Sequence, residues 1–264
     1  MKNFFVTVPH SGEKIPEEVL WLSGLEEPVL MRDVDRYVDQ LYSDFCRTEG
    51  VDFIFTPWHR YVVDLNRRPD DVDKDSVLES AKPSGTHTTG LHWVKTTLGE
   101  VLMKEPIEFL QHQKLVELYH RPFHASVEEK YSELLKCSEK VYQLDAHSMP
   151  SLGTAAHRDN GHSRAEIVVS DRNGVSCSSS YRELVCGSYQ KAGFEVKENW
   201  PYLGGRVTET YGQPEKGQHC IQVELNRKLY MCETTKKKKE AEFLQTKEKI
   251  EKALALVKGG ISKL

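Results

Sequence analysis

The sequence predicts a single α/β domain with a mixed or mostly parallel central sheet flanked by helices. Short apolar runs alternate with segments of helical periodicity, and polar or glycine-containing turns separate them. The 264 residues show neither an internal repeat nor a low-complexity linker, and a single domain can reach this length. We therefore treat residues 1–264 as one domain.

Six short runs have the composition of strands, at residues 4–8, 51–56, 61–65, 141–144, 165–169 and 220–225. Helical spacing of apolar residues predicts helices over 35–48, 106–136 and 240–258. The last is a C-terminal helix, about residues 236–258 with its lead-in, and we interpret the lysine run 236–239 as its solvated start.

The composition is that of an ordinary soluble globular protein, with 38% hydrophobic and 29% charged residues. A net charge of −4 gives no reason to expect a nucleic-acid partner, and no apolar run is long enough to predict a membrane span. The six cysteines form no C-x-x-C pair, which predicts reduced thiols in the cytoplasm rather than a thiolate metal site. The oligomeric state is left open.

Residues 67–93 lack a regular pattern and are rich in proline, aspartate, threonine and glycine. An irregular segment of this length inside a compact domain is often a binding loop. The alternative is a disordered surface excursion.

Two histidines follow predicted strands. His10 lies in VPHSG at residues 8–12, and His147 lies in LDAHS at 144–148. Ligands of α/β sheets gather beyond the carboxyl ends of strands, and neutral imidazole is a common zinc ligand. We predict that the two histidines share one zinc ion, although each alone could be a turn histidine bonded to a backbone carbonyl.

A carboxylate would complete the ligand set, and the pattern leaves its identity open. Glu13 follows His10 by three residues, the spacing of the ligand pair in carboxypeptidase-like zinc enzymes, whereas Asp33, Asp35 and Asp39 lie in MRDVDRYVD at 31–39. Asp35 could equally be a helix cap. Asp145 could orient His147 as an outer partner or be a buried structural carboxylate.

Polar groups cluster at the end of the predicted strand 61–65, in RYVVDLNR at 60–67. The guanidinium forks of Arg60 and Arg67, with the amide of Asn66, suit an anionic substrate; a surface salt bridge is the alternative. On the run 220–225, Gln222 and Glu224 share one face. If that face looks into the site, Glu224 would be a general base; otherwise it is a solvated glutamate.

Taken together, these segments resemble the N-formylglutamate amidohydrolase family over residues 4–232. The matching segments are VPHSG (8–12), Asp35 with Tyr37 and Leu41, RYVVDLNR (60–67), TTGL (88–91), YHRPFH (119–124), DAHS (145–148), DRNGVSC (171–177), GGRVT (204–208), YGQP (211–214) and QVEL (222–225).

The resemblance implies a zinc-exopeptidase-like (phosphorylase/hydrolase-like) α/β fold and zinc-dependent hydrolysis of an N-acyl amide on an acidic amino acid such as N-formylglutamate. It also implies the site residues, because the family has an aspartate at the position of Asp35 and varies at that of Glu13. The implied zinc ligands are His10, Asp35 and His147, the implied base is Glu224, and the implied substrate-binding residues are Arg60, Asn66 and Arg67. The last two match the substrate-carboxylate motif of the related aspartoacylases.

The sequence departs from the family at Glu209, where family members have a basic residue after the threonine. An anion there would weaken recognition of a second substrate carboxylate. Nearby Arg206 could compensate, so Arg206 and Thr208 are further candidate substrate-binding residues. Three histidines match no functional position of the family and are expected on the surface, namely His59, His157 and His162.

Two other functions stay open at this point. A related zinc amidase could act on a different N-acyl amino acid or on a cell-wall peptide, and the departure at Glu209 favours keeping this alternative. A non-catalytic binding module with the same fold would be expected to lack a ligand or the base, whereas all the proposed positions are occupied here.

Overall fold

The structure is a computed structural model that describes residues 3–82 and 89–264; Thr88 of the TTGL segment lies outside them. It contains a six-stranded sheet in the order β2-β1-β3-β6-β4-β5. The strands are β1 (Phe4–Val8), β2 (Asp52–Phe55), β3 (Val141–Met149), β4 (Ile167–Ser170), β5 (Val196–Glu198) and β6 (Gln218–Asn226). All neighbouring pairs are parallel except β4 with β6. The predicted fold class is confirmed.

Seven α-helices are present in the described part of the chain. They are α1 (Glu27–Leu30), α2 (Val38–Glu49), α3 (Phe109–Leu115), α4 (Arg121–Leu135), α5 (Ser179–Lys191), α6 (Arg206–Tyr211) and α7 (Glu240–Ile261). A π-helical segment, Val116–His120, joins α3 to α4. The remaining helical turns are 3₁₀ helices at Leu20–Leu22, Pro214–Lys216 and Arg227–Leu229. None of the helices described is long and apolar enough to cross a membrane.

The sheet separates two hydrophobic cores, because successive side chains of a strand point to opposite faces. On β1, Val6 belongs to the core that includes α2, α5 and α7, whereas Phe5 belongs to the core that includes α4. The second core also holds much of the chain between β2 and α3. Helices and loops therefore cover both faces of the sheet, and the carboxyl ends of β1, β3 and β6 meet at one edge.

The predicted strand at 61–65 is wrong. Tyr61, Val62, Val63 and Leu65 are buried in the second core, but this segment runs through turns and pairs with no strand described. Its apolar residues pack with side chains rather than into a ladder, and composition alone does not separate these two environments.

Other boundaries also differ from the prediction. Strand β3 continues to Met149, so His147 lies within its carboxyl-terminal part rather than beyond it. The C-terminal helix spans 240–261 rather than 236–258. Lys236 is not a solvated helix start, because it is 4% exposed and lies in a turn with a φ of 59°. Strand β5 and helix α5 were not predicted.

Candidate metal centre and active-site cavity

A cavity of about 300 Å³ opens at the carboxyl edge of the sheet. Its walls come from the ends of three strands and from the irregular segments that follow them. The lining residues are His10, Asp33, Asp35, Arg60, Asn66, Arg67, Thr89, Trp93, Thr97, His147, Ser148, Pro150, Ala156, His157, Tyr202, Gly204, Gly205, Gln222, Glu224 and Arg227. The volume is at the small end of ordinary ligand pockets.

Three buried side chains converge at the floor of this cavity. The Nδ1 atoms of His147 and His10 lie 3.1 and 3.6 Å from Oδ2 of Asp35. Each of the three offers a ligand atom within 4.8 Å of the others. His10 follows β1, His147 lies on the adjacent β3, and the backbone N–H of Asp35 donates to the carbonyl of His10 at 2.9 Å. The structure thus brings together residues that are far apart in sequence.

Each of the two histidines has a further carboxylate at its other ring nitrogen, Nε2. Nε2 of His10 lies 2.7 Å from Asp64, and Nε2 of His147 lies 2.8 Å from Asp145. An ionised carboxylate only accepts hydrogen bonds, so each Nε2 carries the proton. In a neutral ring, Nδ1 then presents a lone pair towards Asp35. Outer carboxylates of this kind fix the tautomer of metal-binding histidines.

This donor set fits a divalent cation. Two imidazole lone pairs that face one carboxylate oxygen repel one another unless a positive charge lies between them. Tetrahedral coordination with zinc–ligand bonds of about 2.0–2.1 Å requires ligand atoms roughly 3.3 Å apart, and the 3.1 and 3.6 Å separations bracket that value. Histidine and carboxylate ligands also suit other transition metals.

Arg227 holds Asp35 in its ionised form. Its Nη2 donates to Oδ1 of Asp35 at 3.0 Å and its Nε donates to Ser148 at 3.0 Å. Burial alone would raise the pKa of Asp35, but His10, His147 and Arg227 hold it well below its usual value. For His147, burial opposes protonation, but Asp145 and Asp35 raise its pKa well above the usual value. A proton on His147 therefore competes with a metal ion.

Glu224 lies opposite His147 in the register of β3 and β6. The Gln222 amide donates to its Oε1 at 2.8 Å, which fixes the orientation of the carboxyl group. Burial and the nearby charge of Asp35 raise the pKa of Glu224, against the opposing effect of His147. A buried carboxylate with a raised pKa is suited to accept and return a proton near neutral pH.

The predicted substrate-binding residues of the segment 60–67 also line the cavity. Arg60 stacks over Trp93 at 4.7 Å and donates to Oδ2 of Asp64 at 2.8 Å. Asn66 accepts at Oδ1 from the backbone N–H of Val207. Arg67 donates from Nε to the carbonyl of Thr89, at 2.9 Å. Because these residues lie in turns, they reach the cavity from a loop and not from the end of a strand.

The alternative third ligands are not part of the cluster of His10, Asp35 and His147. Glu13 is 38% exposed and forms an ion pair with Arg36 at 2.8 Å. Asp33 lines the cavity, but it accepts hydrogen bonds from Tyr61 and Thr97, and Asp39 lies in the first turn of α2. The N-cap residue of α2 is Tyr37, and the side chain of Asp35 contacts His147, Ser148 and Arg227 instead, so the structure does not give it the role of a helix cap.

Arg206 and Thr208 do not line this cavity. Arg206 borders a neighbouring one and forms an ion pair with Glu209 at 2.8 Å, while Thr208 is buried and donates to the carbonyl of Gly205. Glu209 also pairs with Arg172 at 3.3 Å. The structure therefore does not show the expected compensation by Arg206, because this arginine lies outside the cavity and is ion-paired with Glu209.

The expectation that three histidines lie on the surface is correct only for His162, which is exposed. His59 is fully buried, with its Nε2 at 3.0 Å from the carbonyl of Leu30. His157 is half-buried and lines the cavity. Sequence pattern alone did not distinguish these environments.

Two residues of the site were missed. The sequence pattern assigns no role to Asp64, although it contacts both His10 and Arg60. Arg227 was not considered at all. It comes two residues after the predicted strand 220–225, at the same sheet edge as the two histidines. A position beyond the carboxyl end of a strand is where site residues are expected.

The fold and the site define an α/β protein with a candidate metal-binding cavity at the carboxyl edge of its sheet. The profile of the N-formylglutamate amidohydrolase family matches residues 2–231. The chain is 31% identical over 233 residues to the N-formylglutamate deformylase of Pseudomonas putida, covering 87% of this chain and 82% of that one. It is also 31% identical to the Pseudomonas aeruginosa N-formylglutamate deformylase, covering 86% and 82%. The chain belongs to the N-formylglutamate amidohydrolase family.

Solved structures share the fold. N-formylglutamate amidohydrolase from Ralstonia eutropha JMP134 superimposes with a TM-score of 0.84 at 22% identity, covering 99% of this chain and 95% of that one. A gene product from Agrobacterium tumefaciens gives a TM-score of 0.70 at 18% identity, covering 99% and 91%.

Proposed function

We propose that this protein is a zinc-dependent amidohydrolase that removes the N-formyl group from an acidic amino acid such as N-formylglutamate. The observation that carries the proposal is the convergence of two imidazole Nδ1 atoms on Oδ2 of Asp35, beside the buried Glu224. Family membership supports the reaction class, and the relatives named N-formylglutamate deformylase support the substrate.

His10, Asp35 and His147 would hold the ion. When bound, a divalent ion such as zinc acts as a Lewis acid for the amide carbonyl and lowers the pKa of water. Asp64 and Asp145 accept hydrogen bonds from the protonated Nε2 atoms of the two histidines, which keeps the Nδ1 lone pairs available. Arg227 keeps Asp35 ionised, so the ligand set carries the negative charge that a dication requires.

Glu224 would be the general base. Oε1 accepts from Gln222, which leaves Oε2 to take a proton from the attacking water. The same carboxyl group then returns that proton to the leaving nitrogen, and burial, which raises the pKa of Glu224, favours its role as a proton acceptor and donor. Asn66 and Arg67 would bind the carboxylate of the amino acid, with Arg60 beside them.

One observation favours a second candidate substrate. Glu209 forms ion pairs with Arg206 and Arg172, and neither arginine lines the cavity. Among the residues described, the arginines that line it are Arg60, Arg67 and Arg227. Two of these are already ion-paired to Asp64 and Asp35. A substrate with a single carboxylate, such as an N-acyl amino acid with a neutral side chain, therefore remains the alternative to N-formylglutamate.

The test is release of formate from N-formylglutamate, compared with a panel of N-formyl and N-acetyl amino acids under identical conditions. We expect N-formylglutamate to have the highest kcat/KM. A higher kcat/KM for a neutral N-acyl amino acid would replace the substrate but keep the reaction. No hydrolysis of any member, together with negligible metal content, would instead favour a binding module.

We also propose that residues 1–264 form one domain and that the protein is cytoplasmic. The two cores pack on opposite faces of one sheet, and all six cysteines are free. Both observations support the proposal. Limited proteolysis and cell fractionation test its two parts.

A further inference from the structure

The segment Asp64 to Arg67 carries the proposed substrate-binding residues but belongs to no strand. Leu65 is 2% exposed and Asn66 is 7% exposed, so their backbone groups are largely shielded from water. Buried carbonyl groups need hydrogen-bond partners, and the turns of this segment supply no ladder. The carbonyl groups on either side of Asn66 therefore need hydrogen-bond donors from another part of the chain.

Two histidines donate to the carbonyls that flank Asn66. Nε2 of His120 lies 3.0 Å from the carbonyl oxygen of Arg67, and Nε2 of His124 lies 3.0 Å from that of Leu65. A carbonyl oxygen only accepts, so both Nε2 atoms carry the proton. The two rings stack on one another with their centroids 4.2 Å apart.

The tautomer of His124 is fixed from the other side. Tyr211 donates its hydroxyl proton to Nδ1 at 2.8 Å. Burial is the main cause that lowers the pKa of His124 to about 3, and it lowers the pKa of His120 as well. Both rings are therefore neutral donors near neutral pH.

The backbone places the two rings on one face of the continuous helical stretch formed by the π-helical segment and α4. His120 ends the π-helical segment, and His124 lies in the first turn of α4. Residues four apart are neighbours on a helix surface, and π segments frequently occur at functional sites. The YHRPFH segment at 119–124, which has no role in the proposed chemistry, contains both of them.

We propose that His120 and His124 are positioning residues that hold the Leu65–Arg67 backbone so that the Asn66 and Arg67 side chains face the cavity. Neither histidine lines the candidate active-site cavity itself. The inference rests on the proposed function only for the identity of the ligand that this loop binds. We call the two hydrogen bonds from His120 and His124 to the carbonyls of Arg67 and Leu65 the clamp. The clamp is present in the free protein.

The test compares three variants of His120. In His120→Gln, an amide N–H can replace Nε2–H; in His120→Asn, the shorter amide falls short of the Arg67 carbonyl; His120→Leu removes the donor. We expect the Asn and Leu variants to raise KM for N-formylglutamate about tenfold, because the free-energy cost of an unpaired buried carbonyl would fall on the loop that binds the substrate, with kcat and zinc content little changed. His120→Gln should restore KM to near the wild-type value.

Hydrogen–deuterium exchange of the free protein gives a readout that does not depend on activity. The backbone N–H groups of Asn66 and Arg67 donate to the side chain and the carbonyl of Asp64. Their exchange should accelerate in His120→Asn and stay near wild type in His120→Gln. The exposed His162 provides the matched control, and His162→Asn should change neither exchange nor KM.

The outcomes separate the two proposals. If wild type does not hydrolyse N-formylglutamate, the proposed function fails, and the exchange data still decide the clamp. If His120→Asn leaves both exchange and KM unchanged, the clamp is wrong. It is also wrong if His120→Gln folds but behaves like His120→Asn. Where His120→Leu does not fold, the Asn and Gln pair alone gives the decision.

Discussion

Replacing Asp145 with asparagine tests whether the carboxylate behind a histidine sets the metal affinity. Asp145 is fully buried and accepts from Nε2 of His147 at 2.8 Å and from Oγ1 of Thr7 at 2.6 Å. Asparagine has nearly the same shape, so its amide oxygen can still face the histidine. The substitution removes the charge and leaves the packing intact.

The magnitude follows from these two hydrogen bonds. Bonds to an ionised group are roughly twice as strong as neutral ones, and loss of an outer partner of a metal-binding histidine typically costs about 10–100-fold in metal affinity. That range corresponds to about 1.4–2.7 kcal/mol. We expect the zinc Kd of Asp145→Asn to rise by this factor while the fold is retained.

The assay is competition for zinc between the metal-free protein and a chromogenic chelator at neutral pH. Asp171→Asn is the matched control, because Asp171 is also fully buried and hydrogen-bonded, to Gly174 and Asn199, but lies outside the cavity. An unchanged zinc Kd in a folded Asp145→Asn protein would refute the reasoning. So would an equal loss in the control.

Three further predictions concern the base, the loop and acid stability. Glu224→Gln should keep its zinc while kcat falls by about a hundredfold or more; full activity with zinc bound would remove Glu224 from this role. Gly205→Ala should raise KM, because a Cβ there would lie 2.0 Å from Nδ2 of Asn66, and an unaltered KM would show that Asn66 does not bind substrate. The pKa values of His92 and His124 are lowered to about 3, chiefly by burial, so between about pH 6.5 and 3 the unfolded chain binds more protons. The free energy of unfolding should therefore decrease as the pH is lowered, by about 2 kcal/mol for each of these two histidines between pH 7 and pH 5. Equal urea midpoints at the two pH values would contradict this.

The fold class and the two histidines could be predicted from local pattern. The strand at 4–8 has the predicted bounds, since a short apolar run after a polar terminus and before Pro9 leaves little choice. His10 and His147 follow or end apolar runs, and in a parallel sheet such positions converge at one edge. The same reasoning, applied two residues beyond the run at 220–225, would have found Arg227.

Other features depend on tertiary contacts that pattern does not encode. The apolar residues 61–65 resemble a strand but pack into the second core without pairing, and the carbonyl of Leu65 is held by His124, which lies 59 residues away. The contact of Asp64 with His10 appears only when the ring of His10 is placed, whereas for Asp145 the sequence already offers the position behind His147 that the structure shows. Helix α5 was detectable, because Ser178 caps it and Tyr181, Val185 and Tyr189 recur at helical spacing.

The central claim is that one ion shared by His10, Asp35 and His147 is required for hydrolysis. The most direct measurement is a titration of metal-depleted protein with zinc, in which formate release from N-formylglutamate is followed at each addition. We predict no release without zinc and a linear rise that stops at one zinc per chain. Full activity in the metal-free protein would contradict the account.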